Sequence, residues 1–228
     1  MSDPSEAPAA SAEEALRFVE SGQTLGLGTG RAAEAFVRAL GARVAEGLDV
    51  RGVPTSVRTE DLARELGIPL LSLEEAGRLD VTFDGADEVD PHLDVIKGYG
   101  GALVREKIVA ASSSQLIILV GDEKLVSCLG ERGKLPVEVV AFGETLATQK
   151  LAELGCPGTR RKDEQGQPYI TDNGHFILDC AVSRIESPAE LERQILGIPG
   201  VLGTGLFVNM ADAVIVQKGA EVEVRRRS

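Results

Sequence analysis

The 228-residue chain is acidic, with a formal net charge of -12, and 43% of its residues are apolar. A negative overall field repels polyanions, so we expect neither nucleic acid nor an anionic membrane surface as a partner. No run approaches the ~18 consecutive apolar residues of a membrane span, and the first residues lack the pattern of a secretion signal, so the predicted location is cytoplasmic.

The N-terminal part predicts a short tail followed by a helix, a strand, a loop and a second helix. Residues 1–11 are small, polar and proline-containing, which favours a disordered tail. Residues 12–21 have apolar side chains at helical spacing, ending at a glycine. Residues 23–27 form an apolar strand that enters the glycine loop 28–30, and residues 31–40 again have helical spacing.

The same alternation continues through the first half of the chain. We expect a strand at 50–53, a helix at 56–66, a buried strand at 81–83, a helix after the glycine-rich stretch 98–101, and a central strand at 116–120. Strands that alternate with helices form a mostly parallel sheet that is covered on both faces. The fold class is therefore α/β, doubly wound and Rossmann-like.

From Lys134 onward the order of elements changes. The predicted series is strand 137–142, helix 144–154, strand 157–162, strand 169–181, helix 188–196 and strand 201–207. This βαββαβ order is the ferredoxin-like pattern. A further apolar strand at 213–217 would return to the large sheet, and Arg225 to Arg227 would form a solvated tail. We therefore predict a catalytic domain of residues 12–132 plus 208–228 and a smaller α+β domain of residues 133–207.

Cysteine and histidine are too scattered for a disulfide framework or a zinc site. Cys128, Cys156 and Cys180 form no CxxC motif, and His92 and His175 have no metal-ligand spacing. We expect unreactive thiols, no metal and no cofactor.

The first glycine loop is a candidate phosphate site. Gly26-Leu-Gly28-Thr-Gly30 lies between a strand and a helix, where free backbone N–H groups and the helix dipole favour an anion. A tight turn that only needs glycine is the alternative. Arg31 stands where a dinucleotide fingerprint would need a third Gly or Ala, which disfavours a nicotinamide cofactor and adds a cation.

Two later segments contain groups suited to acid–base chemistry. Asp84-Gly-Ala-Asp87-Glu88 follows a buried strand, so its carboxylates lie at the edge where open α/β sheets bind ligands; a polar turn or a carboxylate metal site are alternatives. Lys97-Gly-Tyr-Gly-Gly101 combines a cation with free backbone donors, as oxyanion sites do. By its pattern alone, Glu106 is a solvated glutamate in the first turn of a helix.

Six segments, in content and in order, carry a resemblance to a known family. They are GLGTG, DGADEVD, IKGYGGALVREKIVA, LPVEVV, TDNGHFILDC and IPGVLGTGLF. The chain resembles the ribose-5-phosphate isomerase A family from about residue 12 to residue 218. The resemblance implies a cofactor-free and metal-free enzyme that interconverts D-ribose 5-phosphate and D-ribulose 5-phosphate in the non-oxidative pentose phosphate pathway. It also implies a homodimer or homotetramer.

The resemblance assigns roles to particular residues. Glu106 matches the general base that moves a proton between C2 and C1, through an enediolate. Asp84 and Asp87 match the aspartates that contact the sugar and assist ring opening, and Lys97 matches the lysine that stabilises the enediolate. The residues implied to bind the substrate are Thr29, Gly30, Arg31, Ala32, Asp84, Gly85, Ala86, Asp87, Lys97, Gly98, Tyr99, Gly100 and Lys124.

Three of these positions differ from the usual family pattern. Arg31 stands where Ser is usual, Ala32 where Thr is common, and Tyr99 where the family has Gly. Two further readings therefore stay open. One is an isomerase with a shifted preference among pentose phosphates, and the other is a domain that senses phosphosugars without turning them over.

Overall fold

The computed structural model describes residues 7–227. The helices are α1 (Ala7–Leu16), α2 (Arg31–Ala45), α3 (Val57–Glu65), α4 (Leu73–Ala76), α5 (Leu103–Ala111), α6 (Glu144–Glu153) and α7 (Pro188–Leu196), with short 3-10 helices at Asp122–Lys124 and Ala141–Gly143. The strands are β1 (Thr24–Leu27), β2 (Arg51–Pro54), β3 (Leu79–Gly85), β4 (Glu88–Val89), β5 (Val95–Ile96), β6 (Ser113–Gly121), β7 (Lys134–Val139), β8 (Gly158–Arg160), β9 (Phe176–Ala181), β10 (Val201–Thr204), β11 (Leu206–Phe207), β12 (Ala213–Lys218) and β13 (Glu221–Arg226). Within residues 7–227, no helix has the length and apolar character needed to cross a membrane.

The chain divides into two compact units, and their boundaries differ from the predicted ones. The first unit contains the segments up to Ala86, from Arg105 to Leu125 and from Met210 onward; the second contains Asp87–Val104 and Val126–Asn209. The predicted small domain, 133–207, thus lies inside a larger second unit. The reason is a small sheet, β11-β5-β4, which pairs the segment after β3 with the end of the ferredoxin-like series.

The first unit is built on a six-stranded sheet in the order β13-β12-β6-β3-β1-β2. All neighbours are parallel except β12 and β13, which confirms the doubly wound α/β prediction. Helix α2 buries Ala33, Phe36, Val37 and Leu40 at the spacing of one helical face. Its Phe36 ring stacks on that of Phe83 in β3, with 4.1 Å between the centroids, so an aromatic pair holds helix against sheet.

Both ends of the first unit are more ordered than the sequence predicted. The tail predicted for residues 1–11 lies partly outside the described residues, but α1 already begins at Ala7, in an alanine-rich stretch with high helix propensity. Ser11 is buried and its N–H donates to Gln217 Oε1 at 2.9 Å. The arginines predicted to form a solvated tail are also part of a regular element, because Arg225 and Arg226 lie in β13, which pairs antiparallel with β12.

The second unit confirms the ferredoxin-like series. Its four-stranded sheet has the order β10-β7-β9-β8, and all neighbours are antiparallel. Two strand predictions need correction. The strand predicted at 169–181 begins only at Phe176, because Thr171 Oγ1 accepts the N–H groups of Asn173 and His175 and holds a turn. The strand predicted at 201–207 breaks at Gly205, whose backbone bonds to Pro136 and Lys97 instead.

Candidate active site

In the first unit, three predicted site residues follow neighbouring parallel strands. Thr29 follows β1, Asp84 lies at the end of β3, and Lys124 ends the 3-10 helix after β6. The strands β1, β3 and β6 are adjacent. From β1 the chain continues to β2 on one side of β1, and it then crosses to β3 on the other side. This edge is therefore the topological switch point at which open α/β sheets bind ligands.

The loop before α2 has the conformation of an anion site. Gly30 takes the N-cap position with φ 108, and no side chain caps the helix, so its first N–H groups stay available for an anion. Positive φ at this position favours glycine over other residues. A Cβ on Gly28 would lie 2.3 Å from Asp84 Oδ1, so only glycine permits the close approach of loop and carboxylate.

Asp84 is held in one orientation by that loop. Its Oδ1 accepts the N–H of Thr29 at 3.1 Å and the N–H of Gly85 at 2.7 Å, and the residue is 1% exposed. Gly85 ends β3 and Ala86 follows it; both are half-buried. The fold thus joins two segments that the sequence analysis selected separately, GLGTG and DGAD.

A cluster of hydroxyl groups behind the loop was not found by sequence reasoning. Thr29 Oγ1 lies 2.8 Å from Thr55 Oγ1 and donates to Ser56 Oγ at 2.8 Å. Thr59 Oγ1 donates to the carbonyl of Gly28 at 2.9 Å. Ser56 also caps α3 by accepting the Thr59 N–H. The Ser-x-x-Thr spacing indicates a helix N-terminus, but only the tertiary structure brings it against the glycine loop.

The remaining predicted residues of the first unit differ in their exposure. Ala32 is half-buried in the first turn of α2 and Lys124 is half-buried, whereas Arg31 is exposed. Within residues 7–227, the Arg31 side chain makes no ion pair or hydrogen bond. Glu106, in the first turn of α5, is 4% exposed, so the solvated glutamate predicted from its pattern is wrong. Burial disfavours the charged form of a carboxyl group, which favours proton uptake and suits a base that removes a carbon-bound proton.

In the second unit, the other predicted residues lie on the loop 97–100 or, in the case of Asp87, form a hydrogen bond with it. Asp87 Oδ2 accepts the N–H of Tyr99 at 3.0 Å. Lys97 is 2% exposed, and its Nζ lies 5.6 Å from the centroid of the Phe207 ring, within cation–π range. Gly98 is buried and Gly100 exposed. The structure thus places a buried cation and an oriented carboxylate on one loop system.

The Tyr99 side chain is fixed by contacts with Lys134. Burial, reinforced by the charges of Glu88 and Asp87, raises the pKa of Tyr99 well above its ordinary value. The protonated phenol donates to the carbonyl of Lys134 at 3.2 Å, and the Lys134 ammonium lies 4.0 Å from the ring centroid. The tyrosine therefore stays a neutral hydrogen-bond donor near neutral pH.

Glu88, the third carboxylate of the DGADE segment, has a structural function. It is fully buried, and its two oxygens accept the N–H groups of Gly130 at 2.6 Å and Arg132 at 2.9 Å. It thus anchors the 130–132 turn. In the described part of the chain, no group of three or more His, Cys, Asp or Glu side chains is arranged to hold a metal ion.

A glycine loop opening a helix at the carboxyl edge of a parallel sheet is typical of α/β proteins that bind phosphorylated ligands. Comparison with known proteins specifies which. The sequence profile of ribose 5-phosphate isomerase A (phosphoriboisomerase A) matches residues 51–221. The ribose-5-phosphate isomerase A of Parvibaculum lavamentivorans is 50% identical over 221 residues, which cover 93% of this chain and 95% of that protein. That of Roseiflexus castenholzii is 51% identical over 207 residues, 90% of this chain and 88% of the relative.

Solved structures agree with the sequence comparison. The ribose 5-phosphate isomerase A of Methanocaldococcus jannaschii superposes with a TM-score of 0.93 at 38% identity, covering 98% of this chain and all (100%) of that one. A D-ribose-5-phosphate isomerase in complex with phospho-erythronic acid has a TM-score of 0.96 at 38% identity and covers 99% and 100% of the two chains. This chain belongs to the ribose 5-phosphate isomerase A family.

Proposed function

We propose that this protein is an aldose–ketose isomerase that interconverts D-ribose 5-phosphate and D-ribulose 5-phosphate. Family membership supports the reaction, and the complex of a related isomerase with phospho-erythronic acid, which has a phosphate and a carboxylate, supports a phosphosugar ligand. The observation that carries the mechanism is the burial of Glu106, which is 4% exposed despite its charge. A buried carboxylate in an enzyme family that moves a carbon-bound proton fits the role of base.

The proposed chemistry is a proton transfer through an enediolate. Glu106 removes the proton from C2 of the open-chain aldose, and the C2–H electron pair forms the C1–C2 double bond while charge moves onto the carbonyl oxygen O1. Lys97 stabilises that oxygen. Glu106 then returns the proton to C1, while the proton of the O2 hydroxyl is transferred to O1 and O2 becomes the ketose carbonyl. Asp84 and Asp87 hold the sugar hydroxyls and move the oxygen-bound protons.

The phosphate of the substrate is proposed to bind at the N-terminus of α2. Residues Gly30 to Ala32 offer backbone donors there, since the N–H of Thr29 already donates to Asp84, and Lys124 lies on the same sheet edge, after β6. The hydroxyl cluster of Thr55, Ser56 and Thr59 uses the Thr29 hydroxyl, so phosphate binding would rest on backbone N–H groups and cations. Arg31 then supplies the charge where the family has hydroxyls.

Replacing Arg31 with Ala tests this phosphate site. An exposed ion pair contributes about 0.2–1 kcal/mol, so the KM for ribose 5-phosphate should rise up to about fivefold with kcat unchanged. The increase should shrink at high salt, because exposed charges are screened. Steady-state kinetics at two ionic strengths measures both effects. The control is Arg38→Ala, an exposed arginine farther along α2, which should leave KM unchanged. An unchanged KM in Arg31→Ala would remove Arg31 from the phosphate site.

Isomerisation in D2O with a chelator present tests the reaction type. Proton transfer predicts that ribulose 5-phosphate acquires solvent deuterium at C1, detected by NMR, and that the chelator does not slow conversion. A metal-dependent hydride shift would leave C1 without solvent deuterium and would stop on chelation. A phosphosugar-sensing domain would bind ribose 5-phosphate and convert none of it.

Three further statements about this protein stay predictions. A shifted preference among pentose phosphates would come from Arg31, Ala32 and Tyr99, and it would appear as a changed ratio of kcat/KM values between ribose 5-phosphate and its epimers. The homodimeric or homotetrameric state and the cytoplasmic location are the other two.

A further inference from the structure

Arg161, the residue after β8, is fixed by a carboxylate of the four-stranded sheet. Its side chain is 9% exposed. Its Nε donates to Asp179 Oδ2 at 3.0 Å, and its Nη2 donates to Asp179 Oδ1. Asp179 lies in β9, which is paired on both sides, with β7 and β8. The two-pronged ion pair therefore locks the plane of the guanidinium group to a rigid strand.

The remaining donors of Arg161 reach the loop 97–100. Its Nη1 donates to the carbonyl of Gly98 at 2.9 Å and to the carbonyl of Tyr99 at 3.1 Å. A third carbonyl of the loop, that of Gly100, accepts the Tyr169 hydroxyl at 3.3 Å. These carbonyls lie outside any helix or strand, so side chains from the β8–β9 connection take the place of a regular hydrogen-bond ladder.

The peptide unit between Gly98 and Tyr99 connects Arg161 to Asp87. Its carbonyl accepts from the guanidinium, while its N–H donates to Asp87 Oδ2 at 3.0 Å. A positive donor on the carbonyl polarises the peptide and strengthens its N–H as a donor. A continuous chain of hydrogen bonds thus runs from Asp179 through Arg161 and one peptide unit to a proposed active-site carboxylate.

We propose that Arg161 is a positioning residue for isomerisation: it sets the orientation of Asp87 and of the loop that contains Lys97 without touching the substrate. The proposal rests on the assignment of Asp87 and Lys97 to the active site. All three guanidinium nitrogens already donate to Asp179 or to the two loop carbonyls, so the role of Arg161 is to orient other groups. Displacing a reacting group by about 1 Å can cost about 100-fold in rate.

Arg161→Ala is the principal test. Asp179 keeps a cation in this variant, because Lys134 Nζ lies 3.9 Å from its Oδ1. We expect kcat to fall by about tenfold or more, while inhibition by inorganic phosphate, which reports on the separate phosphate site, stays unchanged. Methylguanidinium added to Arg161→Ala should restore part of the lost kcat and should not affect the wild type. The control is Arg160→Ala, an exposed neighbour that pairs with Glu144 and should keep the wild-type kcat.

The outcomes separate this inference from the proposed function. Wild-type kcat in Arg161→Ala, or equal losses of kcat and phosphate inhibition, would overturn the positioning role. If Arg161→Ala does not fold, Arg161→Lys keeps the charge but cannot form the fork; lowered kcat at unchanged Tm then supports the role, and wild-type kcat refutes it. Full activity in Asp87→Asn and Lys97→Met would instead show that the active-site assignment has failed.

Discussion

Substitution of Glu106 by Gln is expected to lower the kcat for ribose 5-phosphate by roughly 10²- to 10⁴-fold, the usual contribution of a positioned base. Gln has nearly the same size and keeps one side-chain oxygen, but it cannot accept the proton from C2. Because Glu106 is 4% exposed, bulk water is poorly placed to replace it. The measurement is the initial rate of ketose formation at saturating substrate, with solvent-deuterium exchange at C2 recorded in parallel.

The binding of substrate should change much less than its turnover in Glu106→Gln. A base acts in the transition state, so its removal lowers kcat with a small effect on ground-state affinity. Glu74→Gln is a suitable control, since Glu74 is an exposed glutamate in the first turn of α4. A kcat for Glu106→Gln close to that of the wild type would assign the proton transfer to a different group.

Lys97→Met should have the second largest effect, a loss of roughly 10²- to 10³-fold in kcat, as seen when one donor to a developing oxyanion is removed. Met fills the space of the lysine stem but carries no charge. The isomerisation places negative charge on oxygen only as the enediolate forms, so the cation is needed most at that stage.

Stability measurements distinguish this loss from a loss of folding. Lys97 is 2% exposed, so its replacement can also affect folding, and the Tm and folded fraction of the Met variant are measured together with its kcat. Lys150→Met, at an exposed position on α6, controls for removal of a lysine from the same unit and should keep the wild-type kcat. A Lys97→Met variant with full activity, or one whose activity falls only in proportion to its folded fraction, would contradict the electrostatic role.

Local sequence patterns were sufficient for five of the six strands of the large sheet in the first unit, all except β13. The strands predicted at 81–83 and 116–120 lie within β3 and β6, because buried parallel strands are continuous apolar runs. The βαββαβ series was also predictable, since each helix and strand has its own spacing and is bounded by Gly or Pro. The elements at the two ends of the chain, α1 and β13, were harder to predict, because they depend on contacts with distant parts of the chain.

The candidate site was predictable where its chemistry is contained in short segments. GLGTG, DGAD and KGYGG each combine glycine with a charged or hydroxyl group, and the resemblance to the family then supplied roles for Asp84, Lys97 and Glu106. The sequence pattern alone predicted a solvated Glu106, whereas the side chain is buried. Helical spacing shows which side chains share a face, but it does not show what packs against that face, and the burial of Glu106 depends on that packing.

By itself, the sequence determined the order of the main helices and strands, the fold class of both units, the family and the segments that contain the candidate site. Only the tertiary structure decided which side chains orient those segments. Thr59 supports the glycine loop from 31 residues beyond Gly28, and Arg161 supports the second loop from 63 residues beyond Gly98. A hydrogen bond between residues so far apart leaves no periodic trace in the chain, because it arises when separate elements pack together. In the sequence, Arg161 is therefore indistinguishable from an ordinary surface arginine, and only the fold brings it against the loop of Lys97.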